Sequence, residues 1–515
     1  MTEADVIING GGPVGMGLAI ELGQRGVRVA VIERHQTPAP IPKGQNLTQR
    51  TAEHFRAWEC ERELRAAWPL PPDAGIGGVT AYGTLLSGYS YDWLNRGHVR
   101  DFYFCANARL PQYATEAVLR DRAQALDTVS VHLGLTACAL DMDAHSATVQ
   151  ATDKTGATHS FRGRYVVGCD GSRSFVRGAA GIPETLSEHN RLMALLVFQS
   201  TELHALLERY PGKAFYNVLH PDFEGYWQFF GRVDHGKSWF FHAPVPLGTT
   251  TENHDFTGML HNAVGQDFAL QLDHIGLWDL RVAIANTYRA GPAFIAGDAG
   301  HSHPPYGGYG INIGFEDARN LGWKLAATLQ GWGGAGLLDS YDAERRPVFA
   351  STARDFIERF IEDDNAFLQR YHPDRDLAEF EQAWQSRNLD AAEVNAYEPH
   401  YEGSPLIGGT GQPSARGDHL HAPRAGHHIS PQALQTGTRD PWQELGAGFT
   451  LFAQDQATLT AFGQAAKAMG VPLDIRPRAD GPAILVRPDH FVAWSGESTP
   501  DSADAILRRA TGHGG

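Results

Sequence analysis

A glycine-rich segment at residues 10–15 (GGGPVG) constrains the fold of this chain more than any other feature of its sequence. It has the spacing G-x-G-x-x-G, with an apolar run at residues 5–9 before it and a helical pattern at residues 15–25 after it. In such a unit the first glycine makes a tight turn, the second lets a pyrophosphate approach the backbone, and the third lets helix and strand pack closely. The next apolar run, residues 27–32, ends in Glu33, whose carboxylate can accept hydrogen bonds from ribose hydroxyls. The segment therefore predicts a Rossmann-like βαβ unit that binds a dinucleotide.

Length and charge narrow the class of protein. The chain has 515 residues, more than one hydrophobic core usually serves, so two or three domains are expected. It carries 59 acidic against 43 basic residues, and the formal net charge of −16 would repel nucleic acid and anionic membranes. No apolar run reaches the roughly 18 residues of a transmembrane helix, and the first residues lack the basic region of a signal peptide. We therefore predict neither a nucleic-acid partner nor a membrane partner.

The cysteine and histidine pattern does not predict a metal site. No two cysteines are spaced as CxxC, so neither a thiolate zinc site nor a redox dithiol is expected. His301 and His303 stand two residues apart, but their glycine- and proline-rich surroundings favour loop residues over metal ligands. Scattered free cysteines are typical of a reducing compartment, so the predicted location is the cytoplasm. The cysteines are Cys60, Cys105, Cys138 and Cys169.

Changes in residue pattern predict how the chain divides into domains. Short aromatic-rich runs between about residues 190 and 285 alternate as the strands of an antiparallel sheet do. The stretch after about residue 400 is rich in Gly, Pro and His, which predicts a linker. The predicted units are a dinucleotide-binding domain at 1–187 and 281–350, of which about 70–108 could belong to the sheet domain; the sheet domain at 188–280; a helical segment at 351–398; a linker at 399–440; and a βαββα domain at 441–515.

Two further segments accompany the glycine motif, residues 169–177 (CDGSRSFVR) and residues 297–312 (GDAGHSHPPYGGYGIN). The three segments, in this order and at these separations, resemble those of the flavoprotein aromatic hydroxylases of the para-hydroxybenzoate hydroxylase and phenol hydroxylase type. The resemblance covers about residues 4–350. More loosely, residues 441–515 resemble the thioredoxin-like domain of phenol hydroxylase and polyketide hydroxylases, without a CxxC pair. The implied fold class is α/β (α+β overall), with a Rossmann-like FAD-binding domain interleaved with an antiparallel-sheet substrate domain, plus the thioredoxin-like domain.

The resemblance implies which residues would hold FAD. Asp298 is similar to the aspartate that binds the ribityl or ribose hydroxyls, and residues 305–312 are similar to the loop and helix start beside the flavin ring. Asp170 and Arg177 are similar to a motif that links FAD and nicotinamide binding, although Asp170 could simply cap the turn at a strand end. Lys43 stands where the family usually has arginine. The implied FAD-binding residues are Gly10, Gly12, Pro13, Val14, Gly15, Glu33, Arg34, Lys43, Gln112, Asp170, Asp298, Pro305, Gly310, Ile311 and Asn312.

The substrate site is predicted less fully. Tyr306 and Asn46 depart from the family pattern, which usually has a small residue and glycine there, and both are expected near the flavin. The aromatic strands could line a substrate pocket or merely pack a core. The predicted pocket residues are Asn46, Tyr216, Trp227, Phe229 and Tyr306. The candidates for a base that ionises the substrate, none of them singled out by a motif, are His220, Tyr216, Tyr91 and His242.

The activity that the resemblance implies is hydroxylation of a small aromatic or phenolic substrate. FAD would take hydride from NADPH or NADH and react with O2, and the resulting flavin C4a-hydroperoxide would transfer one oxygen to the ring. Other flavin oxygenations, such as Baeyer–Villiger insertion, epoxidation or N-hydroxylation, stay open, as does a flavin-dependent reductase that does not use O2. The C-terminal domain would serve a structural or dimerisation role, so the protein could form a homodimer.

Overall fold

A computed structural model describes residues 1–71, 74–388, 392–434, 440–496 and 502–514 of the chain. The strands are β1 (Thr2–Glu3), β2 (Val6–Asn9), β3 (Val29–Glu33), β4 (Asn46–Leu47), β5 (Gly77–Tyr82), β6 (Ser90–Trp93), β7 (Ala108–Arg109), β8 (Val129–Leu133), β9 (Thr136–Met142), β10 (Ala147–Thr152), β11 (Thr158–Gly163), β12 (Tyr165–Gly168), β13 (Glu184–Gln199), β14 (Lys213–Leu219), β15 (Trp227–Arg232), β16 (Ser238–Pro246), β17 (Gln271–Ala285), β18 (Arg289–Ala290), β19 (Ala293–Ile295), β20 (His301–Ser302), β21 (Tyr397–His400), β22 (Ser414–Arg416), β23 (Phe449–Ala453), β24 (Leu473–Pro477), β25 (Ala483–Val486) and β26 (Val492–Gly496). The α-helices are α1 (Pro13–Gly23), α2 (Gln49–Ala57), α3 (Glu61–Ala66), α4 (Gln112–Gln124), α5 (Phe175–Ala179), α6 (Thr201–Leu206), α7 (Phe256–Val264), α8 (Gly310–Leu329), α9 (Asp339–Ala353), α10 (Arg359–Arg370), α11 (Leu377–Asn388), α12 (Ala392–Ala396), α13 (Pro431–Leu434), α14 (Gln456–Met469) and α15 (Ala503–Ala510).

The first unit is built around a six-stranded sheet in the order β18-β19-β12-β2-β3-β8. Its five strands other than β18 are parallel, and β2 and β3 are buried along their whole length, as continuous β-branched runs predict. Helix α1 packs against α8. Helix α1 follows β2 directly, whereas the short strand β20 lies between β19 and α8. The carboxyl ends of β2, β3, β12 and β19 meet at one edge, which is where an α/β sheet of this kind binds its ligand.

The second unit is an eight-stranded sheet in the order β20-β17-β13-β16-β15-β14-β5-β6. The structure places β5 and β6, from the region of residues 70–108, in this sheet. Strand β13 begins at Glu184 and β17 ends at Ala285, so the sheet extends beyond the predicted bounds of 188–280. These two long strands pair along most of their length and carry the chain into and out of the first unit, which explains why the boundary is not a linker.

The two faces of the second sheet pack against different partners. Phe215 and Phe240 belong to a core shared with the first unit, whereas Tyr216, Phe230 and Phe241 belong to a core covered by α6 and α7. Successive side chains of a strand point to opposite faces, so neighbouring aromatics in the sequence serve different cores.

Residues 399–434, predicted to be part of a linker, are instead packed into the protein. Strands β21 and β22 pair, and Tyr401, Leu406 and Ile429 are each no more than 2% exposed. The prediction was wrong for this part of the chain. A high content of Gly, Pro and His indicates few helices and strands, but it does not indicate that the segment is unpacked. Residues 435–439 of the predicted linker lie outside the described residues.

The C-terminal unit has one strand more than the predicted βαββα order, because residues 483–496 form two strands, β25 and β26, and the observed order is βαβββα. Its sheet runs β24-β23-β25-β26, with β23 parallel to β24 and the other pairs antiparallel, and α14 and α15 pack together on it. Arg487, at the end of β25, forms ion pairs with Glu344 of α9 at 2.6 Å, and this contact fastens the unit to the first one. Among the described residues, no helix combines the length and the apolar composition that crossing a bilayer requires.

Candidate active site

A cavity of about 560 Å³ lies where the carboxyl ends of the parallel strands face the second sheet. Residues from the three sequence motifs line it together, although they are separated by well over a hundred positions along the chain. The predicted FAD-binding residues that line this cavity are Gly10, Gly12, Pro13, Val14, Glu33, Arg34, Lys43, Gln112, Asp170, Asp298, Pro305, Gly310 and Ile311. Gly15 and Asn312 do not line it, but each directly follows in the chain a residue that does.

The three motif glycines are not all required for the same physical reason. Gly10 adopts φ +109°, and a Cβ there would lie 2.3 Å from the carbonyl oxygen of Cys169. A Cβ on Gly15 would lie 1.9 Å from the Gly10 carbonyl oxygen, so these two positions exclude any side chain for reasons of packing. A Cβ on Gly12 would meet no atom within 4 Å, and Gly12 precedes the free N–H groups at the start of α1. The open space beside Gly12 is therefore where a phosphate can approach the helix N-terminus.

Glu33 holds the turn that follows β2. One carboxylate oxygen accepts a hydrogen bond from the Gly11 N–H at 2.7 Å, and the other accepts one from the His35 N–H at 2.7 Å. The residue is 8% exposed and borders the cavity. Its position fixes the glycine turn and places a carboxylate beside the space next to Gly12.

Helix α4 contributes three polar residues to the cavity, of which the sequence predicted only Gln112. Glu116 and Arg120 follow at intervals of four, and so share one face of the helix with Gln112. Gln112 donates a hydrogen bond to Glu116 at 2.8 Å, and burial raises the pKa of the Glu116 carboxyl. The Nε of Arg120 is buried and has no hydrogen-bond partner among the described residues. The spacing of four was the signal that could have identified Glu116 and Arg120.

Asp170 and Arg177 build the turn after β12. Asp170 accepts hydrogen bonds from the Asn9 side chain at 2.7 Å and from the Val176 N–H at 3.2 Å, so it caps the turn as well as bordering the cavity. Arg177 lies outside the cavity lining. It donates to the carbonyl oxygens of Ser172 and Ala299, both at 2.8 Å, and thereby ties the second motif to the third.

Asp298 presents a carboxylate to the cavity from the turn after β19. It accepts no hydrogen bond from the described part of the chain. Desolvation raises the pKa of the Asp298 carboxyl, and the neighbouring His301 and Lys43 side chains oppose that rise. An unpartnered carboxylate in this place can accept hydrogen bonds from the hydroxyl groups of a ligand.

The loop at residues 305–309 leads into α8, whose N-terminus faces the cavity. Asn312 holds this loop in place: its side-chain oxygen accepts from the Thr48 N–H at 2.9 Å, and its amide donates to the carbonyl oxygens of Asn46 and Gly308. Asn312 is 6% exposed and its hydrogen-bonding groups are used within the protein. It therefore positions the loop and does not itself face the cavity.

These features fit FAD. The open side of Gly12 suits a pyrophosphate, and the unpartnered Asp298 carboxylate suits hydroxyl groups. The orphaned Nε of Arg120 suits an anion, and the start of α8 suits the negatively polarised edge of a flavin ring. The elongated set of complementary groups runs from Glu33 to the loop before α8.

At the end of the cavity nearest the loop before α8, aromatic side chains of the second sheet form a wall. Phe229 stacks on Phe215 at 5.6 Å, and its ring lies 5.5 Å from Phe240 and 6.3 Å from His242. Trp93 of β6 completes the wall at 5.8 Å from Phe229. The sequence singled out Phe229 and His242 but missed the other three. Only Phe240 could have been identified, because it stands two residues before His242 on β16 and therefore shares its face.

Of the remaining predicted substrate and base residues, one lines the cavity and the others lie elsewhere. Asn46 lines the cavity, whereas Trp227 and Tyr306 pack against each other at 4.9 Å outside its lining. Tyr216 is on the opposite face of the sheet, where its hydroxyl donates to the Lys213 carbonyl oxygen at 2.8 Å. The two other candidate bases are also remote: His220 caps a short turn, and Tyr91 packs on Trp384 at 5.0 Å.

His242 is the one candidate base that lines the cavity. It is 4% exposed, and burial lowers the pKa of its imidazole to about 3. His303, on the opposite side of the cavity, likewise has its pKa lowered to about 4 by burial. Both rings are therefore neutral at physiological pH.

We predict that this burial makes the protein sensitive to acid. The unfolded chain protonates His242 with a pKa near 6.5 and the folded chain only near 3, so the unfolded state binds more protons between these values. The free energy of unfolding then falls as the pH drops below 6.5, by about 2 kcal/mol from this residue between pH 7 and pH 5. Urea unfolding should show a correspondingly smaller loss for His242→Phe, with parallel curves for both proteins between pH 7 and pH 8. Equal losses in the two proteins at pH 5 would contradict the assignment.

Comparison with known proteins places the chain among FAD-binding proteins. The family model described as FAD binding domain matches residues 3–355. This range contains all three motifs and both sheets that border the cavity.

Individual relatives span nearly the whole chain. Rifampicin monooxygenase of Streptomyces venezuelae is 31% identical over 515 aligned positions, 96% of this chain and 96% of the relative. The 4-methyl-5-nitrocatechol 5-monooxygenase of a Burkholderia species is 29% identical over 550 aligned positions, 99% of this chain and 97% of the relative. Among solved structures, the flavin-dependent monooxygenase PieE in complex with FAD and substrate has a TM-score of 0.83 at 24% identity, covering 99% of both chains. That last likeness shows the fold.

Proposed function

The chain belongs to the FAD binding domain family, and from that premise we propose that it is an FAD-dependent, NAD(P)H-consuming monooxygenase that hydroxylates an aromatic, phenolic substrate. Membership confirms the predicted family, the α/β fold class and FAD as cofactor. The relatives that match over nearly their whole length are monooxygenases. The electron donor, the ring substrate and the site of oxygen insertion are the parts that we add.

The observation that carries the proposal is the aromatic wall, which closes the cavity at the end nearest the loop before α8. Phe215, Phe229 and Phe240 offer ring faces and edges at spacings of 5.5 to 5.6 Å, which suits a planar ring as ligand. The wall is apolar apart from the neutral ring of His242. A flat aromatic substrate would therefore be held between this wall and the flavin-side loop.

FAD, when bound, supplies the redox chemistry: it accepts hydride from the reduced nicotinamide and activates O2 for oxygen transfer to an electron-rich ring. The protein residues around it do the positioning. Gly12 and the start of α1 would hold the pyrophosphate, Asp298 would accept hydrogen bonds from hydroxyl groups, and the start of α8 would stabilise negative charge on the reduced ring. The aromatic wall excludes water, which would otherwise divert reducing equivalents to H2O2.

His242 would orient the substrate rather than ionise it. A phenol has a pKa near 10, as tyrosine does, and the pKa of the His242 imidazole is about 3. Full proton transfer from a phenol to this ring would cost on the order of 10 kcal/mol at the cited pKa difference. A neutral imidazole can accept a hydrogen bond from the substrate hydroxyl without taking the proton.

A groove beside the cavity suits the nicotinamide donor. It has a volume of about 430 Å³ and shares Asp298 and His303 with the cavity. Arg173 and Arg281 line it, and guanidinium groups suit a pyrophosphate. Trp278, 38% exposed on its wall, offers a ring on which a nicotinamide can stack.

The defining experiment is a turnover assay on the purified, FAD-loaded protein with a panel of phenols under ¹⁸O2. Oxidation of NADH or NADPH that a phenol stimulates, with one ¹⁸O in the product ring, is the expected result. Oxygen inserted beside a carbonyl or into a double bond would instead assign one of the other oxygenations. Flavin reduction that is followed by slow reoxidation in air, without a labelled product, would assign a reductase.

Variants of two histidines test the site within that assay. His242→Phe removes a hydrogen-bond acceptor from the cavity, and the lost hydrogen bond of about 1.4 kcal/mol should raise KM for a phenolic substrate about tenfold and increase the fraction of H2O2 formed. His220→Gln changes a partly exposed ring outside the cavity and serves as the control, with unchanged KM. Equal effects of the two changes would remove His242 from the substrate site.

A further inference from the structure

Three side chains far from the FAD cavity form a cluster in the segment that leads to the C-terminal unit. We propose that His400, Glu402 and His427 bind one dication of the zinc class. One ligand atom from each of the three lies within 4.8 Å of those of the other two. Since the cluster shares no residue with the FAD cavity, this proposal does not rest on the proposed function.

The backbone brings the cluster together from two separate stretches. His400 is the last residue of β21, and Glu402 follows in the next turn. The Tyr401 N–H, between them, donates to the carbonyl oxygen of Gly426 at 2.7 Å, which sets His427 opposite both. Gly426 adopts φ +89°, and a Cβ there would lie 2.7 Å from the Glu402 backbone nitrogen, so this close approach requires glycine.

Each imidazole has one nitrogen held by an acceptor outside the cluster. Nδ1 of His427 lies 2.8 Å from a carboxylate oxygen of Glu398, and Nε2 of His400 lies 3.1 Å from the carbonyl oxygen of Arg416. An acceptor at one nitrogen keeps the proton there and leaves the lone pair on the other. Nε2 of His427 and Nδ1 of His400 are thus the ligand atoms, and metal-binding histidines in proteins are oriented in this manner.

The distances suit a small tetrahedral ion. Zinc bonds of about 2.0 to 2.1 Å to nitrogen and oxygen imply ligand atoms roughly 3.4 Å apart. Here Nε2 of His427 lies 2.7 Å from Glu402 Oε1, and no pair of ligand atoms exceeds 4.8 Å, so small side-chain movements reach the required spacing. Two imidazoles and a carboxylate are ligands that zinc and its neighbours prefer, whereas calcium and magnesium prefer oxygen alone.

The side chains of the cluster differ in solvent exposure, and the exposed one gives an ion access to the site. His427 has a side chain that is 4% exposed, whereas the Glu402 side chain is 43% exposed. An ion can therefore enter along Glu402, and a water can complete its coordination. A proton on His427, shared between Glu398 and Glu402, is the competing occupant of the same place. Nδ1 of His400 would then keep only its long hydrogen bond from the Glu402 N–H, at 3.4 Å.

The test is zinc titration of the full-length, FAD-loaded protein after EDTA treatment and buffer exchange, followed by calorimetry. The expected result is one zinc ion bound per chain with micromolar or tighter affinity, and a Tm that rises with zinc concentration because the ion binds the folded state. Cobalt in place of zinc should give the visible absorption of a tetrahedral nitrogen and oxygen site.

Variants identify the ligands. Glu402→Gln keeps the size and the hydrogen bond to His427 but removes the charge, so affinity should fall at least tenfold, as it should for His400→Gln. His421→Gln is the matched control, since His421 lies in the same segment but bonds Ser430 outside the cluster, and should bind zinc as the wild type does. No saturable binding in the wild type, or an affinity in Glu402→Gln and His400→Gln equal to that of the wild type, would overturn the proposal.

Discussion

A Gly12→Ala variant is expected to fold as the wild type does and to bind FAD about 100-fold more weakly. A Cβ at this position meets no protein atom within 4 Å, and Gly12 has ordinary backbone angles of φ −74° and ψ −173°. The added methyl group would instead occupy the space in which the pyrophosphate must approach the start of α1. A 100-fold loss corresponds to about 2.7 kcal/mol, and flavin fluorescence titration of the apoprotein measures it directly.

Alanine substitutions at two other glycines provide comparisons for this experiment. Gly88→Ala is the matched control, because a Cβ there also meets nothing within 4 Å and Gly88 does not border the cavity, so FAD affinity should not change. Gly10→Ala should damage folding itself, since its Cβ would lie 2.3 Å from a carbonyl oxygen at a positive φ. A Gly12→Ala protein that retains FAD as tightly as Gly88→Ala would refute the assignment of the phosphate site.

The second large effect is expected from Arg487→Met, which breaks the buried ion cluster that joins the C-terminal unit to the first unit. Arg487 pairs with Glu344 at 2.6 Å and with Asp489 at 2.6 Å, and Lys324 pairs with Glu344 at 2.7 Å; all four side chains are fully buried. Together Arg487 and Lys324 hold the pKa of the Glu344 carboxyl well below its usual range. Without Arg487 a carboxylate stays buried and incompletely paired, which costs about 3–5 kcal/mol.

Thermal unfolding of the FAD-loaded protein should show this as a Tm that is lower by about 3–5 °C. The control is Arg508→Met, in the same unit, which breaks the half-exposed pair with Asp504 and should cost less than about 1 kcal/mol. If both variants melted within a degree of the wild type, the ion cluster would not be what holds the C-terminal unit in place.

The FAD-binding half of the site follows from short-range patterns. Within six positions, residues 10–15 must form a tight turn, let a pyrophosphate approach the backbone and begin a helix. Requirements on residues so close in the chain are visible in the sequence itself. Helix α4 begins at Gln112, directly after Pro111, and a proline at a helix start is a signal that the sequence displays locally. The helical spacing of four places Glu116 and Arg120 on the same face as Gln112, but no motif marks these two residues.

The substrate half was decided by tertiary structure. Tyr216 and Phe215 are neighbours in one strand with similar side chains, yet they point to opposite faces of the sheet. Phe215 faces the cavity, and Tyr216 lies in the core under α6 and α7. The alternation is visible in the sequence, but which phase faces the cavity depends on where the first unit packs. His242 was one of four equal candidates until the fold placed His220 and Tyr91 elsewhere.

The sequence alone thus determined the βαβ unit, the family and the cofactor, because each is recognised from motifs whose residues stand close together within a segment. The three-dimensional structure alone decided which aromatic face meets the flavin side, that residues 399–434 are packed, and that His400, Glu402 and His427 meet. Those outcomes depend on long-range packing of whole sheets and segments, and no local pattern records which surfaces will be pressed together.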